Sequence, residues 1–175
     1  MPARLRPLSI LLLWVAPVLA AAPTATDRFE IPNVCSIGTP GKGWEWKAVN
    51  EYDEQKGGTY LCSAEGKPGR LILRVDPGKR STDDERILTL KQDFNLLHQQ
   101  LEKLGCTDIK GKRPELKPPI PENVDYFVIG KTPKGSTINL HAETIFKTHT
   151  YLLQAAAPSL KEAETLAATG KTLKE

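Results

Sequence analysis

The sequence is poor in sulfur and in aromatic side chains, with three cysteines, one methionine and 6% aromatic residues. So few cysteines in 175 residues exclude a disulfide-dense scaffold. After the first twenty residues or so, no apolar run approaches the roughly 20 residues that span a membrane, which excludes a multispan membrane protein. The sequence also has no large excess of charges of one sign, since the net charge is only +3. This argues against a nucleic-acid binder. The remaining composition is typical of a globular protein.

Catalytic and cofactor motifs are missing as well. The three histidines, His98, His141 and His149, form no HExxH motif, and the cysteines form no CxxC motif. The glycine-rich stretch 38–43 lacks the Gly-Lys-Ser/Thr ending of a phosphate-binding loop. No serine has the glycine pattern of a nucleophile elbow. We therefore predict no metal site, no cofactor, no catalytic residue and no enzymatic activity.

The chain begins with the features of a signal peptide. Arg4 and Arg6 precede an apolar run over 8–19, which is too short for a spanning helix but has the length of a signal-peptide core. Val18 and Ala20 are the small residues of a cleavage site. The alternative, a retained N-terminal anchor, is disfavoured by this length.

Cleavage after residue 20 defines the predicted organisation of the chain. Residues 1–20 are the signal peptide, residues 21–28 are a flexible lead-in, and residues 29–175 are a single domain. The leader carries two arginines and no acidic residue, so its removal lowers the formal net charge from +3 to +1. The protein is therefore predicted to be secreted or periplasmic, without a membrane span after cleavage and without a nucleic-acid partner.

Export would place Cys35, Cys62 and Cys106 in an oxidising compartment, where disulfide bonds persist. Three cysteines cannot all pair within one chain, so we predict one disulfide with one free thiol, or one intermolecular bridge. The sequence does not select among the three possible pairings. The alternative is that all three are reduced and packed as small hydrophobic residues.

The first half of the domain predicts a three-strand meander followed by a helix. Alternation of apolar and polar residues predicts three strands between Trp44 and Val75, separated by glycine turns. Ser81 and Thr82 supply an N-cap for the helix, which ends at Gly105. Six apolar residues at spacings of three and four line one helix face: Ile87, Leu90, Phe94, Leu97, Leu101 and Leu104.

The second half predicts three more strands and a second helix. A loop rich in lysine and proline runs over 110–123 and is followed by strands between Val124 and Ala156. Ser159 and Glu162 then form a capping box for the last helix. We therefore predict an α+β fold, in which an antiparallel β-sheet of about six strands in two βββα units has two helices packed on it.

Three segments carry a resemblance to a known family. They are the Phe29-x-Ile31-Pro32 start of the domain, the strand that contains Trp44, and the closing Tyr151-Leu152-Leu153 strand, which is followed by Ala157-Pro158-Ser159 and a terminal helix. In these features the chain resembles the PsbP-like superfamily, which is named after an extrinsic subunit of photosystem II. The resemblance implies a binding or assembly factor without catalytic activity. Metal sites of some members are not carried over here, because their ligands cannot be matched to this sequence residue by residue.

Aromatic residues on neighbouring strands form one candidate ligand surface. Trp44 and Trp46 share a face of one predicted strand, and Tyr60 begins the next. Such a cluster would floor a ligand pocket, or it would be part of the core. Both interpretations are compatible with the sequence.

Polar residues form two further candidate sites. The basic loop presents Lys112, Arg113 and Lys117, which would dock an acidic partner or simply be solvated. His141 and Glu143 share the strand face opposite Leu140, where an acid/base pair or metal ligands are conceivable. Two ligands alone do not define a metal site.

Two functional hypotheses follow. The favoured one is an exported, non-enzymatic binding or accessory protein that engages a protein partner or another component of the cell envelope. The alternative is a small secreted hydrolase or thiol-dependent enzyme that uses Cys62 or Cys106 with His141. An oxidising compartment favours disulfides over a reactive thiolate, which weighs against this alternative.

Overall fold

The computed structural model of the protein describes residues 28–50 and 58–175. The predicted signal peptide lies outside the described residues, as does the lead-in up to residue 27. Arg28, predicted as the last residue of the lead-in, is instead the first residue of a strand.

The described residues form nine β-strands, two α-helices and a short 3₁₀ helix. In chain order these are β1 (Arg28–Ile31), β2 (Cys35–Gly38), β3 (Glu45–Ala48), β4 (Tyr60–Gly66), β5 (Gly69–Asp76), α1 (Asp83–Lys103), β6 (Thr107–Lys112), β7 (Asn123–Lys131), β8 (Thr137–Phe146), β9 (Thr150–Ala157), α2 (Leu160–Ala167) and the 3₁₀ helix (Ala168–Thr172). None of these helices is long and apolar enough to cross a membrane.

Seven strands form one antiparallel sheet with the order β3-β4-β5-β9-β8-β7-β6, and β1 and β2 form a separate hairpin. The predicted α+β class is confirmed, but six strands in two βββα units is wrong. The second unit has four strands because β6 precedes β7, and the last three residues of β6 lie in the segment 110–123 that the sequence predicts to be a loop. As an edge strand, β6 is exposed except at Ile109, so it lacks the alternating apolar residues that indicate a strand.

The predicted starts of both helices and the predicted end of α1 are confirmed. Thr82 is the N-cap of α1, its hydroxyl accepts a hydrogen bond from the Glu85 amide, and the Glu85 carboxylate accepts one from the Thr82 amide. Ser159 and Glu162 form the same capping box at α2. Gly105, just after α1, has a φ of 73°, a left-handed conformation that favours glycine and stops the helix.

Each face of the seven-stranded sheet is covered over a different half. On the α1 face, α1 packs over β6, β7 and β8. On the opposite α2 face, α2 packs over β5, β9 and β8, and the β1–β2 hairpin packs against Trp46 of β3. Strand β9 lies at the centre and is buried on both faces: Leu152 belongs to the core on the α1 face and Leu153 to the core on the α2 face. Among the described residues, no helix packs over the part of the α1 face that β5 forms.

A buried polar network joins α1 to the sheet. The Asp93 carboxylate on α1 is only 1% exposed, and it pairs with the Arg74 guanidinium of β5. The Thr144 hydroxyl donates to the other Asp93 oxygen at 3.0 Å, so the Tyr126 hydroxyl, 2.9 Å from Thr144, is the donor in their shared hydrogen bond. Burial raises the pKa of Asp93, and the Arg74 guanidinium opposes that rise. Asp76 lies 2.8 Å from the same guanidinium and completes the network.

All three cysteines are free and buried, so the predicted disulfide is wrong. Cys35 and Cys62 belong to the core on the α2 face, whereas Cys106 belongs to the core on the α1 face. Each thiol packs as a small hydrophobic group, as in the alternative considered above. Burial raises the pKa of Cys35 to about 11 and that of Cys62 to about 12, so neither is a thiolate at neutral pH.

Candidate functional site

An apolar groove, which we call the α1 groove, runs between the C-terminal part of α1 and the uncovered half of the sheet. It has a volume of about 480 Å³, within the range of small-molecule sites. It exists because the sheet is wider than the helix that covers it. Its apolar lining comes from β5, α1, β8 and β9, and consists of Ile72, Leu104, Ile138, Leu140 and Ala156.

Leu104 departs from the pattern predicted for the helix face. The residues Leu90, Phe94, Leu97 and Leu101 are buried as predicted, but Leu104, at the end of the stripe, is 60% exposed. It lies at the C-cap of α1 and lines the groove. Its exposure adds apolar surface to the groove rather than to the core.

Gln154 is a polar residue in the lining of this groove. Its side chain lies on β9 and is 6% exposed, between Ile72 of β5 and Ala142 of β8 in the register of the sheet. Within the described part of the chain, no group makes a hydrogen bond with its side-chain amide. Since buried amides are ordinarily hydrogen-bonded, this amide is available to a molecule that enters the groove.

The charged residues of the groove are both cationic. Arg70 on β5 forms an exposed ion pair with Glu65 at 3.2 Å. Lys103, in the last turn of α1, has no carboxylate partner among the residues described. The lining contains no acidic residue, so the local field of the groove favours a negatively charged group.

The predicted aromatic surface lies largely in the core. Trp46 and Tyr60 are buried, and the Trp46 indole N–H donates to the Gly38 carbonyl at 2.9 Å. Trp44 is half-buried and packs against the same core, with its ring close to Gly66. These side chains therefore stabilise the α2-face core beneath the β1–β2 hairpin, and they do not line the α1 groove.

The predicted basic surface is exposed and fixed in position. Lys112 ends β6, and Arg113 and Lys117 follow it in the loop, with the Arg113 guanidinium 5.5 Å from the Phe94 ring centroid. The loop is held against α1 by Ile120, which is 2% exposed and whose amide donates to the Asp83 carboxylate at 2.8 Å. Docking of an acidic partner by these cations stays a prediction.

His141 and Glu143 lie on the same strand face, as predicted, in a small polar pocket beneath α2. This pocket has a volume of about 220 Å³, and its charged lining is Asp125, His141, Glu143, Glu164 and Lys171. His141 Nε2 is 4.0 Å from the Asp125 carboxylate, and His141 Nδ1 is buried without a hydrogen-bond partner among the described residues. Burial lowers the pKa of His141 and raises that of Glu143. Among residues 28–50 and 58–175, no three His, Cys, Asp or Glu side chains are arranged to hold a metal ion.

The fold does not bring Cys62 or Cys106 to His141. Cys62 on β4 is separated from β8 by β5 and β9, and three interstrand spacings amount to about 14 Å. Cys106 belongs to the core on the α1 face, whereas His141 faces the α2 side of the sheet. The Cys/His pair required by the thiol-enzyme hypothesis is therefore not assembled in this structure.

Comparison with known proteins adds no relative. A scan against protein-family models finds no match to the chain, and a search of curated proteins finds no similar sequence.

The groove residues were not identified from the sequence. Lys103, Gln154 and Arg70 come from three elements that are distant along the chain and meet only in the folded sheet. One sequence signal was available, since Gln154 is the single strongly polar side chain between Tyr151 and Ala157 in an otherwise apolar strand. A polar residue in a strand buried on both faces indicates either a hydrogen-bonded core group or a ligand contact.

Proposed function

We propose that this protein is an exported, non-enzymatic binding or accessory protein of the cell envelope, and that the α1 groove is its binding site. The groove carries the proposal, because it combines an apolar lining with few polar groups in a concave site on rigid elements, which is typical of ligand-binding sites. Its walls are a 21-residue helix and a seven-stranded sheet.

Two observations support a role without catalysis. The thiols considered as nucleophiles are buried away from His141, and raised pKa values keep Cys35 and Cys62 protonated. The resemblance to the PsbP-like superfamily supports the same role, because most of its members bind or assemble other components. We therefore assign binding, rather than turnover, to the groove.

Replacement of Leu104 tests the groove as the binding site. We expect the protein to bind one equivalent of N-phenyl-1-naphthylamine, a neutral and largely apolar fluorophore with one amine N–H that can donate to the Gln154 side chain. Leu104→Gln should weaken that binding about fivefold, because covering an exposed leucine contributes roughly 1 kcal/mol. Fluorescence titration measures the affinity. Leu88→Gln is the matched control, because Leu88 is also on α1 and 57% exposed but lies outside the groove. An equal loss in both variants would mean that the fluorophore binds exposed leucines unspecifically.

The intact mass of the protein recovered from the envelope or medium of its source tests the export part of the proposal. We expect the mass of residues 21–175, because the leader has the charged start, apolar core and small residues that signal peptidase requires. Recovery of the uncleaved chain from the cytoplasm would contradict export, but it would not contradict the proposal that the α1 groove is a binding site.

A further inference from the structure

The polar residues of the α1 groove constrain what it can bind. A wholly apolar molecule would cover the Gln154 amide and leave it without a hydrogen bond, which costs about 1–3 kcal/mol in a buried site. A ligand that fits must therefore carry a polar group opposite Gln154 as well as an apolar part. This requirement excludes simple hydrocarbons and favours an amphiphile.

The charges of the groove select the sign of that polar group. The lining contains two cations and no acid. Arg70 is already paired with Glu65, so Lys103 is the cation without a carboxylate partner among the described residues. An anion in the groove would accept hydrogen bonds from the Lys103 ammonium and from the Gln154 amide N–H groups, because both residues line it, and hydrogen bonds to ionised groups are the stronger ones. A cationic head group would instead meet Lys103 as a like charge.

The size of the groove limits the apolar part. Its volume of about 480 Å³ lies in the lower half of the range of small-molecule sites. The apolar residues Ile138, Leu140 and Leu104 line the same groove as Lys103 and Gln154. One unbranched chain matches this size better than the two chains of a membrane lipid.

We infer that the α1 groove binds a free single-chain fatty acid, with the carboxylate between Lys103 and Gln154 and the chain along Ile138, Leu140 and Leu104. This inference rests on the proposed function and adds the chemical class of the ligand. Binding forms no covalent bond. It neutralises Lys103, gives Gln154 the partner it lacks and covers the three apolar residues.

Calorimetric titration with dodecanoate, 1-dodecanol and dodecylammonium, each below its micelle concentration, tests the inference. We expect dodecanoate to bind about tenfold more tightly than dodecanol, because one charge-assisted hydrogen bond is of that order, and dodecylammonium to bind most weakly. Lys103→Gln should reduce the preference for dodecanoate about three- to tenfold. Lys91→Gln, an exposed lysine of α1 outside the groove, should leave the preference unchanged.

A second variant tests the role of Gln154. Gln154→Leu should weaken dodecanoate binding severalfold without lowering the midpoint of urea unfolding, because it replaces an unpaired polar group by an apolar one of similar size. Equal binding of dodecanol and dodecanoate by the unmodified protein would overturn the carboxylate inference, as would the same loss in Lys91→Gln as in Lys103→Gln. The proposed function would survive either result if the neutral fluorophore still binds with the dependence on Leu104. Absence of fluorophore binding would overturn the proposed function itself.

Discussion

Arg74→Met is expected to lower the free energy of unfolding by about 3–5 kcal/mol at neutral pH, because it leaves the Asp93 carboxylate buried without its counterion. Urea unfolding followed by circular dichroism measures the change. The difference in the free energy of unfolding between the unmodified protein and Arg74→Met should become smaller on acidification. Without Arg74, the pKa of Asp93 rises further above its unfolded value, so the folded variant binds the extra proton at low pH and loses stability as the pH rises through that pKa.

Arg70→Met is the matched control for this prediction. Arg70 lies on the same strand and also pairs with a carboxylate, but both partners are largely exposed, at 50% and 69%. Such a pair contributes about 1 kcal/mol or less. In the double variant Arg74→Met/Asp93→Leu, part of the stability should return, because the buried Asp93 charge is removed and only the partly exposed Asp76 carboxylate loses its partner. An equal effect of the two arginine substitutions would contradict a stabilising role for the buried network.

Leu152→Ala and Leu153→Ala are each expected to destabilise the protein by about 2–5 kcal/mol, because each empties space in a packed core. The two residues are neighbours in β9, yet their side chains belong to different cores on opposite faces of the sheet. Since they share no packing partner across the sheet, their effects should add to within about 0.5 kcal/mol. Denaturant titration of the two single variants and the double variant, with an osmolyte present if the double variant is marginal, measures the coupling.

Leu88→Ala provides the reference for loss of leucine surface without a cavity. Leu88 is 57% exposed, so its replacement should change stability by no more than about 0.5 kcal/mol. A strong coupling between Leu152→Ala and Leu153→Ala would mean that the two cores act as one. In that case the stabilities of the two core clusters would depend on each other, although the sheet lies between them.

The sequence predicted the elements whose signals are local. The N-cap at Thr82, the capping box at Ser159 and the stop at Gly105 depend on residues within one helical turn, and all three are present in the structure. The strands β4, β5, β8 and β9 have alternating or wholly apolar patterns, and were also predicted. The edge strand β6 was missed, because five of its six residues are exposed and it therefore lacks the apolar alternation that identifies a strand.

The candidate site could not be predicted from local sequence patterns. Trp44, Trp46 and Tyr60 were chosen for their residue types, but aromatic residues fill cores as well as pockets, and the hairpin β1–β2 covers Trp46. The disulfide was predicted from the compartment, whereas the sheet places Cys106 on the face opposite the other two cysteines.

By itself the sequence determined the α+β class, the starts of both helices, the end of α1, the first meander and the amphipathic face of α1, since each depends on periodicity or capping over a few residues. Only the tertiary structure decided that β5 pairs with β9, a contact that spans α1 and three intervening strands. That pairing produces a sheet of seven strands, which is wider than α1 can cover. The α1 groove lies where the sheet extends past α1. Lys103, Gln154 and Leu104 meet there because the burial of apolar surface favours pairing between strands that are distant along the chain.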